Sequence, residues 1–399
     1  MMVMRRASRE ISPLIPIGLW AILALGLSGC TSTGSWFTGP DKPSDESLQE
    51  YVEPKPGQTV GLHRLWRSGV VGAPDKYLFH STGVALDDDL YAVGTFQGKV
   101  VAMNPTDGAV RWKTDIGAAI AGGVSADAQR LYAGTIRAEM VALDRQDGHE
   151  LWRTSVATAI ASPPRVVKGL VVFLTLDNRT YALDAATGQR RWVHNTTPVP
   201  LVVMGSGVPG VTSGAVLVGY STGEVFALSP TDGKSLWNFN MTMMGGGRSE
   251  LDLLQGVVAP IIATSRVVFA ATHQGRVMAL QPTTGKPFWE RPLSVVRTPL
   301  LVEDRLIVSD VEGNLVALRG TDGIPIWKTR LSDALLTAPV MFHERIVVGD
   351  SKGRLFAVDP ASGQVVGLDR FGEPLFADPQ VMGSYLYLWT NDGNAYRFE

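Results

Sequence analysis

The side chain best placed for covalent chemistry in this 399-residue sequence is Cys30, the only cysteine in the chain. It closes an apolar stretch, "PIGLWAILALGLSGC", that follows Arg5, Arg6 and Arg9. A basic flank before a short apolar run is the pattern of a secretory signal over residues 1–29, too short for a membrane span. Leu27-Ser28-Gly29 put small residues directly before the thiol. The spacing therefore predicts cleavage ahead of Cys30 and transfer of a lipid to its sulfur. The mature chain would then hold 370 residues (399 less 29). A sole cysteine excludes a disulfide set and leaves no thiol for a transition-metal site in the rest of the chain.

Other chemically able groups are scattered. The histidines, His63, His80, His149, His194, His273 and His343, show no metal-type spacing. Asp87-Asp88-Asp89 lacks the alternation of a calcium loop and reads as a hairpin turn. "GGGRS" at 245–249 has no phosphate-loop lysine and reads as a hinge. No nucleophile–base pair or pair of carboxylates can be assigned from the sequence. A formal net charge of −2, a pI near 6.3 and the lack of any basic run exclude a nucleic-acid footprint.

What positions any site here is a repeat. Segments such as "KVVAMNPTDGAVRW", "RTYALDAATGQRRW" and "NLVALRGTDGIPIW" share one phase with a period of about forty residues. An alanine recurs at Ala102, Ala142, Ala182, Ala227, Ala279, Ala317, Ala357 and Ala395, and a glycine follows six residues later in all but the last. Tryptophan comes four residues after that glycine at Trp112, Trp152, Trp192, Trp237, Trp289 and Trp327. In the seventh copy Gly367 stands where tryptophan belongs.

Each unit holds β-branched and aromatic runs, "TDG" or "TTG" turns, and an inner run such as "TAPVMF" with proline at its start. The pattern predicts an all-β fold: an eight-bladed β-propeller of four-stranded antiparallel blades over residues 60–399. The final copy lacks an outer strand, while "GLHRLWRSGV" carries Trp66 with no unit before it. Residues 60–70 are therefore expected to complete the last blade and remove an open edge. The tryptophans, Trp66 included, are expected to be structural, each sealing a seam between blades. Gly367 should leave one seam less well packed. Residues 30–59, rich in proline, glycine, serine and charge, read as a lipidated tether.

The repeat "ALDxxTGxxxW", clearest at Ala182–Trp192, resembles the pyrroloquinoline-quinone type of propeller repeat. That resemblance implies the fold, and either a periplasmic quinoprotein dehydrogenase or the BamB lipoprotein family of the outer-membrane barrel-assembly machinery. Such dehydrogenases are usually longer, often with adjacent cysteines and calcium beside the quinone, and this domain has no cysteine. The resemblance thus implies a non-enzymatic scaffold with no cofactor or metal. Its expected partner is the periplasmic domains of the central assembly subunit, with unfolded outer-membrane proteins as further clients. Thr31 after Cys30, rather than aspartate, implies the outer membrane, facing the periplasm.

Two interruptions of the repeat, 198–210 and 241–260, lengthen the tryptophan spacing to 45 and 52. Insertions of this kind go to loops on a binding face. By resemblance to the family, the partner-facing residues are Leu201, Val203 and Met204 in the first, and Arg248, Ser249, Glu250 and Leu251 in the second. Met204 replaces the family's usual arginine, and Gly256 and Val258 stand where an acidic pair is expected. Met243 and Met244 would add apolar surface to the same loops.

Overall fold

Hydrogen-bonded antiparallel hairpins, one blade after another, account for almost every strand in a computed structural model that describes residues 48–49, 57–69, 84–160, 162–196, 207–242, 256–273 and 275–399. Among these residues the fold is all-β, an eight-bladed propeller. Blade 1 runs from its innermost strand Val84–Leu86 through Tyr91–Gly94 and Lys99–Met103 to its outermost strand Val110–Asp115. Blades 2 to 7 repeat that order.

Blade 8 takes its three inner strands from Gln380–Met382, Tyr385–Trp389 and Asn394–Phe398, and its outermost from Arg64–Gly69 near the other end of the chain. The two ends clasp further through paired backbone bonds between His63 and Glu399, 3.0 and 2.9 Å. The closure expected of residues 60–70 is therefore the arrangement observed. No strand of blade 8 is left open toward the missing copy.

Local chemistry sets the turns. A threonine or aspartate ending the second strand accepts the amide four residues on, as in Thr95 from Lys99, Thr135 from Glu139 and Asp350 from Arg354. That bond closes the hairpin without an orphaned donor. Asp87–Asp89 is the turn the sequence indicates, with Asp87 accepting the amides of Asp89 and Leu90. Asp87 also takes a bond from Arg145 of blade 2, so the triple aspartate braces two blades as well as turning one.

Eight apolar clusters make up the core, and each lies between two neighbouring blades. A four-stranded blade buries neither face alone, so the ring is the smallest unit that buries both. The tryptophans sit at the outer end of seven of the eight junctions. Every indole N–H among the seven donates to the first carbonyl of the outer turn in the following blade: Trp66 to Pro105, Trp112 to Arg145, Trp152 to Ala185, Trp192 to Pro230, Trp237 to Pro282, Trp289 to Gly320, Trp327 to Pro360. The glycine three residues after that carbonyl lies flat under the ring. At Gly108, with φ +72°, a Cβ would stand 2.6 Å from the Trp66 ring. Backbone conformation and ring contact both demand glycine, which explains why the two residues keep one spacing.

Two expectations need correction. Gly367 pairs with Ala357 as the tryptophans pair with their alanines, yet its seam is not loosely packed. Blade 8 has no outer turn for an indole to cover, because its outermost strand comes from residues 64–69. The backbone of Thr59 and Val60 crosses Gly367 so closely that a Cβ would collide with the Thr59 carbonyl. Gln58 accepts the Leu368 amide at 3.1 Å, and Val60 is buried in the cluster of blades 7 and 8.

The second correction concerns Ala395. Counting from the turn glycine, Arg397 and not Ala395 holds the repeat's alanine position, and Trp66 is paired with Arg397. The last copy places another alanine two residues before that position.

Upstream, Leu48–Gln49 pair in parallel with Lys328–Thr329 and add a fifth strand to blade 6. The segment that reads as a tether is thus attached to blade 6 at 48–49 and to blade 7 at 58–60.

His194 of blade 3 packs against Tyr220 and Phe226 of blade 4, with ring centroids 6.2 and 4.9 Å away. Burial holds its pKa below the usual imidazole value, outweighing the Gly233 backbone and the Glu224 charge. The unfolded chain therefore takes up this proton first as pH falls. Stability contributed by neutral His194 is intact above the ordinary imidazole pKa of about 6.5 and is lost below it. The urea midpoint is expected to drop between pH 7 and pH 5, and to drop less in His194→Phe. An equal drop in both proteins would acquit His194. Some slope remains in the variant because burial also lowers the pKa of His273.

Candidate functional site

Neighbouring interruptions of the ring, on connections that run from an outermost strand to the next innermost strand, define the candidate interface. The first lies between Arg190–Asn195 of blade 3 and Gly210–Val211 of blade 4. The second lies between Ser235–Asn240 of blade 4 and Ile262–Ala263 of blade 5. Both connections are of the same type, so they emerge on the same face of the ring, over adjacent blades. Leu201, Val203 and Met204 belong to the first; Met243, Met244, Arg248, Ser249, Glu250 and Leu251 belong to the second. All of these lie outside the described residues, as does Cys30.

The end of the second connection is described. Val257 and Val258 are buried, and the Gly256 carbonyl accepts the His273 amide at 3.0 Å. A Cβ on Gly256 would meet the Ser221 backbone at 3.0 Å. Gly256 and Val258 therefore belong to the packed approach to blade 5, where an ionised carboxylate would be costly.

The axis of the ring opens into a cavity of about 530 Å³ lined by all eight blades. Prolines at the start of the innermost strands, among them Pro163, Pro260, Pro299, Pro339 and Pro379, give it an apolar wall. Among the described residues its one acidic side chain is Asp378, which accepts the Ala338 amide and lies 3.6 Å from Arg297 with both side chains 3% exposed. One oxygen of Asp378 and one nitrogen of Arg297 have no hydrogen-bond partner. This pair ties blade 6 to blade 8 across blade 7. It was not legible in the sequence, because the two residues are 81 positions apart (378 less 297) and occupy different places in the repeat.

A quinone held over calcium needs several carboxylate and amide oxygens turned to one point. Among the described residues the wall offers one carboxylate, held by a backbone amide beside an arginine, and that set does not fit the group. Among the described residues, the ligand-type side chains that gather most closely are Asp144, Asp147 and His149, within 4.8 Å, on the outer turn of blade 2 and away from the axis.

Fold, repeat and closure together define an eight-bladed propeller of the pyrroloquinoline-quinone repeat class, whose described axial residues do not make a quinone site. The family model described as "Outer membrane protein assembly factor BamB" matches residues 63–123, 97–329 and 277–397. The chain belongs to the BamB family.

A BamB of Vibrio cholerae is 36% identical over 279 residues, covering 69% of this chain and 72% of that protein. The protein of that name from Legionella pneumophila is 30% identical over 290 residues, covering 72% and 74%. One from Burkholderia pseudomallei is 28% identical over 250 residues, covering 62% of this chain and 64%, just under two thirds, of its own length.

Among solved structures, BamB from Moraxella catarrhalis superposes with a TM-score of 0.72 at 22% identity, over 85% of this chain and 97% of that one. Quinohemoprotein alcohol dehydrogenase from Comamonas testosteroni gives 0.68 at 14% identity, over 84% and 76%. Likenesses this remote speak for the fold alone.

Proposed function

We propose that this chain is a non-enzymatic lipoprotein scaffold of the barrel-assembly machinery. It is anchored at Cys30 in the outer membrane, faces the periplasm, and binds the periplasmic domains of the central assembly subunit. The observation that carries the reading is the pair of lengthened connections on one face of adjacent blades, in a chain of this family. Apolar Leu201, Val203, Met204 and Leu251 would supply the contact, with Arg248 and Glu250 fixing its orientation.

The action is one of orientation and local concentration. With 48–49 paired to blade 6, a flexible chain of the length between Cys30 and that strand would span about 23 Å root-mean-square. A tether that short holds a partner's effective concentration near the millimolar range. Acceptance of unpaired client strands along blade edges would follow the same geometry.

The test is purification of the tagged, lipidated chain from gently solubilised membranes, with mass spectrometry of what accompanies it. Recovery of the barrel-assembly core is expected, falling about tenfold or more in Leu201→Ala and Arg248→Ala if these are central contacts. Cys30→Ser should move the protein out of the membrane fraction. Recovery of a different stable envelope complex would overturn the partner. Met204 in place of an arginine, and the buried Gly256 and Val258, are the features that would then account for it.

A further inference from the structure

With the quinone set aside, the axial cavity still has the lining of a small-molecule site. Its volume of about 530 Å³ lies within the usual span for such sites, about 300–1,000 Å³. Val84, Ile262, Leu300, Val340 and Val381, from the innermost strands of blades 1, 5, 6, 7 and 8, are half-buried and add to the proline wall. Each packs one side against an inter-blade cluster and lines the cavity with the rest.

Among the described residues two charged side chains line this cavity, and they are not equivalent. Asp378 is buried, and its charge is answered by Arg297 and by the Ala338 amide. Arg165 has no such answer. It opens the innermost strand of blade 3, and its Nε donates to the Pro209 carbonyl, on the approach to blade 4, at 3.3 Å. Its two terminal nitrogens have no partner among the described residues. The side chain is exposed yet partly desolvated, which holds its pKa below the usual guanidinium value. The bond at Nε fixes the group and leaves free the outer pair of N–H donors, the edge that grips a carboxylate in two parallel bonds.

One unanswered cation on an apolar concave wall selects one anion on an apolar body. We infer that the axial cavity binds a small monocarboxylate with a compact apolar body, its carboxylate on the outer edge of Arg165 and its carbon frame against the proline and aliphatic wall. Arg165 would repel a cation, and a dianion would bring a second charge with nothing to meet it. The site stands on described residues and does not depend on the proposed partner. Both lengthened connections end on its wall, at Val208 and at Pro260, so a bound acid would touch the roots of the loops that carry Leu201 and Arg248.

The test is calorimetric titration of the full chain, held in phosphatidylcholine nanodiscs with empty discs as the blank, against 3-phenylpropionate, 3-phenylpropanol and 3-phenylpropylammonium. The acid should bind about tenfold or more tightly than the alcohol or the amine, with affinity falling as salt rises. Arg165→Gln should weaken the acid by about tenfold or more and leave the alcohol unchanged. Arg165→Lys, which keeps the charge and loses the fork, should lie between, and it carries the comparison if the urea midpoint of Arg165→Gln falls. Equal affinity for acid and alcohol would overturn the ligand class. No saturable heat from the acid above that of empty discs, or wild-type affinity in both Arg165 variants, would overturn the site.

Discussion

Gly367→Trp will destabilise the ring by about 3–5 kcal/mol, although seven of the eight blades carry tryptophan at that place. Elsewhere an indole covers the turn glycine of the following blade and donates to the turn's first carbonyl. Blade 8 has no such turn, since its outermost strand comes from residues 64–69 and His63 pairs with Glu399 where the turn would be. The volume is filled instead by the backbone of residues 58–60, held by the Leu368 amide and by burial of Val60. A tryptophan must expel that segment, exposing Val60 and leaving the indole without its acceptor. Urea unfolding of wild type and variant gives the difference, and proteolysis near residue 58 should quicken in the variant. A midpoint equal to or above the wild type would mean that the segment does not occupy this seam.

The complementary substitution is Arg397→Ala, which restores the residue that seven blades pair with their outer strand. It too is expected to cost about 3–5 kcal/mol. Arg397 is buried, with its guanidinium 3.5 Å from the Tyr385 ring centroid. It donates to the carbonyls of Pro105 at 3.2 Å and Thr106 at 2.8 Å in the outer turn of blade 1. Trp66 and Tyr387 donate to Pro105 as well, so the junction of blades 8 and 1 has three donors on one carbonyl, where the junction of blades 2 and 3 has two, Trp152 and Tyr132 on Ala185. The strand that carries Trp66 is joined to the other three strands of blade 8 by hydrogen bonds and not by a turn, and the contact it makes with blade 1 is reinforced accordingly. Arg397→Lys should fall between wild type and alanine, because an ammonium keeps the charge but loses the fork. Equal stability of Arg397→Ala and wild type would show that Trp66 and Tyr387 suffice.

Both predictions lie where the repeat breaks, and the breaks explain what the sequence does and does not reveal. Blade number, strand order and the closing role of Trp66 were legible, because apolar alternation, the turn glycine and the tryptophan are fixed by backbone geometry that each blade must satisfy alone. Gly367 was legible as an exception but not in its meaning. Its partner is Thr59, some 300 positions earlier, in a segment whose composition reads as linker. Arg297 and Asp378 were silent for a related reason: they pair across an intervening blade, and a one-dimensional period reports nearest neighbours only. In the proposed interface, Leu201 and Arg248 stand out by interrupting the period. Physics predicts that such loops are surface, and not what they hold.

A strand placed at residues 64–69 and paired with residues 394–398 also has a consequence in time. Synthesis delivers the amino end first, so the closing strand must wait for some 330 further residues before its partner exists. At about 5–20 residues per second that is roughly 15–65 s of synthesis. Through that interval Leu65 and Trp66 are a hydrophobic edge with nowhere to go. A chain that stops even five residues early never acquires the other side of the clasp. Closure of the ring thus requires residues 394–398, and copies that lack them keep an open edge.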